Sequence, residues 1–99
     1  MIPLNNVSWE TFAPLEGHSF RVISSGVGVE LVLKSVTKFG HSFPGGTRDP
    51  FSLLFRGAQG LRLPQGVYQF SCDELGEIEI FITQVADGPV GAEFEAIFN

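Results

Sequence analysis

Between Phe51 and Val85 the chain alternates in three successive runs. Phe51, Leu53 and Phe55 take turns with Ser52, Leu54 and Arg56; Tyr68, Phe70 and Cys72 with Val67, Gln69 and Ser71; Ile78, Ile80 and Ile82 with Glu77, Glu79, Phe81 and Thr83. Successive side chains of an extended backbone point to opposite faces, so a period of two reads as three strands in succession, each with one apolar face. Gly- and Pro-bearing segments separate them, as hairpins and short connections require.

The flanking segments follow the same rule. Phe20 and Val22 oppose Ser19, Arg21 and Ile23; a tight turn at Ser24-Ser25-Gly26 leads to Val27, Val29, Leu31 and Leu33, which oppose Gly28, Glu30, Val32 and Lys34. After Leu33 the apolar parity moves to Val36, which places a bulge near Lys34–Ser35. The last strand turns Phe94, Ala96 and Phe98 inward and Glu93, Glu95 and Ile97 outward. At the N-terminus Ser8 is placed to cap a short helix carrying Trp9 and Phe12, which Pro14 stops.

The expected architecture is all-β. One domain over residues 1–99 holds about six mostly antiparallel strands, forming a small barrel or sandwich with a short N-terminal helix. An open sheet capped by that helix is the alternative.

Two hairpins allow a register to be written. If Asp73-Glu74-Leu75-Gly76 were a four-residue loop, Phe70 would face Glu79, setting a core residue opposite a solvent residue. An odd loop with a bulge at Gly76 restores an isoleucine opposite Phe70. For the last hairpin, turn residues from Ala86 to Gly91 set Ile82 against Phe94, Ile80 against Ala96 and Phe81 against Glu95.

Charge narrows the function classes. Eleven acidic residues against six basic give a formal net charge of −5, which repels phosphate backbones and anionic bilayers; neither nucleic acid nor membrane is expected as a partner. No stretch approaches the length of a spanning helix. The N-terminus has no basic, apolar leader pattern, so a cytoplasmic location is expected. The single Cys72 makes no internal disulfide and falls in register with Tyr68 and Phe70 as a small apolar filler.

Catalytic chemistry finds little purchase. The glycines between Arg56 and Val67 precede no helix and no Gly-Lys-Ser/Thr, so they do not cradle a nucleotide phosphate. His18 and His41 lack metal-ligand spacing. Glu77, Glu79, Glu93 and Glu95 alternate along exposed strand faces rather than in a cleft that would separate their pKa values. A non-enzyme without cofactor or metal is expected.

Two places remain as candidate sites. The long irregular segment FGHSFPGGTRDP holds His41, Arg48 and Asp49, with Phe39 and Phe43 beside them, and loops of this length often carry function. The outward faces, meanwhile, carry Ile23, Val32, Leu54, Phe81 and Ile97. Hydrophobes on neighbouring strands form a patch, which either the N-terminal helix or a partner must cover. Leu54, Phe81 and Ile97 form the candidate interaction patch. This favours a protein-interaction or assembly module, acting on a protein partner or through self-association; a small-molecule-binding β-barrel is the alternative.

The runs F-S-L-L-F-R-G from Phe51, L-P-Q-G-V-Y from Leu63, L-G-E-I-E-I-F from Leu75 and F-E-A-I-F-N from Phe94, with L-E-G-H-S-F from Leu15, resemble a family of small uncharacterised bacterial all-β domains. The resemblance spans nearly the whole chain. It implies an assembly or accessory role beside phage-tail-like collar or fibre proteins, and it transfers no catalytic residues.

Overall fold

The computed structural model describes residues 7–39 and 50–98. Ser8 stands at the N-cap of α1 (Trp9–Phe12), its amide donating to Thr11 Oγ1 at 3.2 Å. Pro14 sits in the 3₁₀ turn Ala13–Leu15 that ends the helix. Six strands follow: β1 (Ser19–Ser24), β2 (Val27–Lys38), β3 (Phe51–Gly57), β4 (Gly66–Cys72), β5 (Gly76–Gly88) and β6 (Gly91–Phe98). They close into a barrel in the order β1-β2-β3-β6-β5-β4, every pairing antiparallel.

That order describes two three-stranded meanders joined along two seams. β1-β2-β3 and β4-β5-β6 meet at the β3–β6 ladder, which runs from Phe51↔Phe98 to Gly57↔Ala92, and at the shorter β1–β4 ladder of Arg21↔Ser71, Val22↔Phe70 and Ile23↔Gln69. The middle strand of each meander breaks register once against its third strand, β2 between Leu33 and Ser35 and β5 between Gln84 and Ala86. Bulges of this kind bend and twist a strand, which a sheet needs in order to curl shut in so few strands.

Each meander is preceded by a segment that plugs one end of the barrel. At the first end, Phe12 is wholly buried against Phe51 and Phe98, with ring centroids 6.1 and 5.8 Å away, and Leu15 lies beside it. Glu16 ties this plug into the β2 bulge, its Oε2 accepting from the Val36 amide at 2.9 Å. At the other end residues 58–65 cross from β3 to β4 and bury Leu63. Gln84 holds this crossing: its Oε1 accepts from the Leu63 amide at 3.2 Å and its Nε2 donates to the Leu61 carbonyl at 2.9 Å. Asp87 Oδ1 accepts from the Gly60 amide at 3.0 Å, and the Tyr68 hydroxyl donates to the Pro64 carbonyl.

The interior is packed with the alternating residues. Phe20, Phe55 and Phe70 form a central aromatic group, Phe20 edge-on to Phe55 at 5.5 Å and Phe55 4.9 Å from Phe70. Phe51 and Phe98 stack at 4.7 Å beneath the helix. Leu31, Leu33, Leu53, Ile78, Ile80, Ile82 and Phe94 complete the core, and among the described residues no polar or charged side chain is buried. A barrel this narrow is filled by its own side chains.

The β4–β5 hairpin has the odd loop that its pattern demands: Asp73-Glu74-Leu75 is the turn, Cys72 pairs with Gly76, Phe70 faces Ile78, and Gly76 takes φ +81°. The last hairpin differs from expectation by two residues. β5 continues to Gly88, the turn is only Pro89-Val90, Thr83 pairs with Glu95 and Gln84 with Phe94. Its Ala86–Gly88 segment stays extended because the crossing loop binds Asp87, a support from outside the strand.

Candidate interaction surface

Of the three residues expected to form an exposed patch, Phe81 and Ile97 are 49% and 56% exposed, while Leu54 is half-buried. Phe81 and Ile97 stand on the outer face two positions beyond the Thr83↔Glu95 pair, one on each strand. Leu54 pairs with Glu95 across the β3–β6 seam, at the margin. The residue that sequence reasoning passed over is Val67. It pairs directly with Phe81 across β4–β5 and is 60% exposed. Its alternation with Tyr68 and Phe70 placed it on the outer face, but a valine there raised no alarm on its own. The centre of the patch is therefore Val67, Phe81 and Ile97, on three adjacent strands.

The N-terminal helix does not cover this patch. It closes the end of the barrel over Phe51 and Phe98, with Lys38 Nζ 4.5 Å above the Trp9 ring. Of the other outward hydrophobes, Ile23 is exposed and Val32 is half-buried.

Charge is sorted between the two meanders. β1–β3 carry Arg21, Lys34, Lys38 and Arg56 against the single acid Glu30. β4–β6 carry Glu77, Glu79, Asp87, Glu93 and Glu95 and no Lys or Arg. The halves touch electrostatically at the β3–β6 seam, where Arg56 Nη2 and Nε lie 2.8 and 3.3 Å from Glu93 Oε2. Glu79 and Glu95 flank the Phe81 patch, so its rim is acidic.

Two depressions lie elsewhere on the surface. On β2, diametrically across from β5 in the closed order, Val32 and Lys34 edge an open groove of about 590 Å³ whose apolar lining includes Val29, Ala58, Leu61 and Val90, with Arg56 and Glu30 also at its walls. Gly57 at its rim leaves room for packing: a Cβ there would lie 2.7 Å from Leu31 Cδ2 and 2.8 Å from Leu61 Cδ2. A second, polar cleft of about 420 Å³ runs along His18, Arg21, Ser71, Cys72, Asp73 and Glu74. Here His18 Nδ1 lies 3.2 Å from Glu74 Oε2. The sequence offers no base near Cys72, which is half-buried; the fold brings His18 into its cleft. Among the described residues no group of three or more His, Cys, Asp and Glu gathers as a metal ion requires.

The candidate loop site at His41, Arg48 and Asp49, with Phe43, lies outside the described residues. Phe39 is described, is 41% exposed, and donates its amide to the Pro50 carbonyl at 3.1 Å. No helix among the described residues is long and apolar enough to cross a membrane.

Comparison with curated proteins and with solved structures yields no match. A family model does match, over residues 7–98, and the chain belongs to the family described as Domain of unknown function (DUF6916).

Proposed function

We propose that this DUF6916 member is a non-enzymatic protein-interaction or assembly module whose working surface is the outer face of β4, β5 and β6 around Phe81. The observation that carries the reading is the cross-strand pair Val67–Phe81, about half exposed or more, on a wall whose inward face is apolar and whose outward face is otherwise mainly polar. Aromatic residues are enriched at interface centres, and a polar rim around them is the usual anatomy of a recognition patch. The resemblance to small bacterial all-β domains supports placing such a module as an accessory to a phage-tail-like or fibre structure.

The alternative of a small-molecule barrel is weighed down by the interior. Six phenylalanines and six leucines or isoleucines are wholly buried there, and a ligand would have to displace them.

The test uses a tethered chain and extract from the cells that make it. The wild-type chain retains its partner; Phe81→Lys loses it, with an unchanged circular dichroism spectrum because Phe81 lies on the outer face. Equal retention by Phe81→Lys, or a wild-type chain that retains nothing and does not associate with itself, overturns the reading.

A further inference from the structure

We infer that the chain associates with itself head to tail, the Phe81 patch of one copy seating in the β2 groove of the next. This rests on the interaction reading above and names the partner. The two surfaces answer each other in shape and in sign. The patch stands out from the convex wall, apolar at Val67, Phe81 and Ile97 and acidic at its rim. The groove is concave, with an apolar lining; its walls carry Lys34 and Arg56, the latter engaged with Glu93, against the one acid Glu30, and it lies on the basic half of the barrel. Opposite charge around an apolar centre sets register and steers encounter. A patch meeting a second patch would bring Glu79 and Glu95 against their own copies, which like-charge repulsion opposes; a net charge of −5 disfavours any contact that does not sort its charges.

The contact joins different surfaces of the two copies, so it is not closed by a two-fold axis. Heterologous contacts form rings when the rotation closes and open filaments when it does not. Because the patch and the groove are separate surfaces, the patch centred on β5 and the groove walled by β2, each copy added leaves a fresh patch and a fresh groove.

Sedimentation velocity at low ionic strength tests this with two charge-changing variants at exposed positions. Wild type gains mass with concentration and passes beyond the dimer. Phe81→Lys spoils the patch and keeps the groove; Lys34→Glu spoils the groove and keeps the patch; each alone associates on the order of tenfold more weakly or not at all. Mixed in equal amounts, they form a dimer and nothing larger, because one good patch meets one good groove. Should either variant fail to fold by circular dichroism, Ile97→Lys and Val90→Asp replace them at the same two surfaces. A wild type that stays monomeric into the millimolar range overturns the self-association; if Phe81→Lys still loses a different protein from extract, the interaction reading survives it. A mixture that remains monomeric, or a Lys34→Glu chain that assembles like wild type, overturns the head-to-tail geometry.

Discussion

Single residues in this barrel are constrained most where two backbones nearly touch. Gly91 opens β6 at φ +126°, and a Cβ on it would collide with the Gly57 carbonyl oxygen across the β3–β6 seam. Neither the torsion nor the space admits an L side chain, and the obstacle is main chain, which cannot swing aside. Gly91→Ala is expected to cost about 3 kcal/mol or more, a large part of the roughly 5–15 kcal/mol that holds a domain of this size. Urea denaturation would show it as a lower midpoint with the slope retained. Gly76, whose positive φ ends the β4–β5 turn, is the contrasting case: a Cβ added there would meet nothing within 4 Å, so only the torsion resists substitution. That second position was legible from sequence, because strand parity demanded an odd loop there. The need at Gly91 was not, since it comes from Gly57, far away along the chain.

At the scale of the element, local pattern served where the support was local. The β2 bulge follows from the parity shift between Leu33 and Val36, and the helix follows from Ser8 and Pro14. The β5–β6 register escaped because its bulge falls between Gln84 and Ala86, where the polar Gln84 takes the inward position after Ile82 and the segment reads as a turn rather than as a strand continuing. What holds that bulge is the crossing loop, whose Leu61 and Leu63 backbone groups both engage the Gln84 amide. Gln84→Leu keeps the volume and removes both partners, leaving a donor and an acceptor unpaired. A loss of about 1–3 kcal/mol is expected, and hydrogen exchange at the Leu63 amide should quicken more than at Ile80, which lies outside the strap. Equal quickening at both would mean that the strap carries no local stability.

Over the whole molecule, closure is what periodicity could not reveal. Alternation identifies strands and their faces, but nothing local says that β1 pairs with β4 or β3 with β6. The outer surface was legible to the same degree: Phe81 and Ile97 were found as breaks in a polar row, while the sorting of basic and acidic strands into opposite halves needed the strand order. The two seams are unequal. The β1–β4 ladder has three residue pairs, fewer than the β3–β6 ladder, so it is the expected place of first opening. Native-state hydrogen exchange should find the β1–β4 amides released at lower free energy than those of β3–β6; the reverse order would assign the weak joint to the other side. Because the wall is continuous, every described strand already has a neighbour on each flank, and the described barrel offers no whole edge of the kind that edge-recruiting domains present. A partner that meets the outer face of this wall does so through side chains. Its adhesive specificity can thus be rewritten at positions 67, 81 and 97 while the hydrogen-bonded cylinder beneath stays the same.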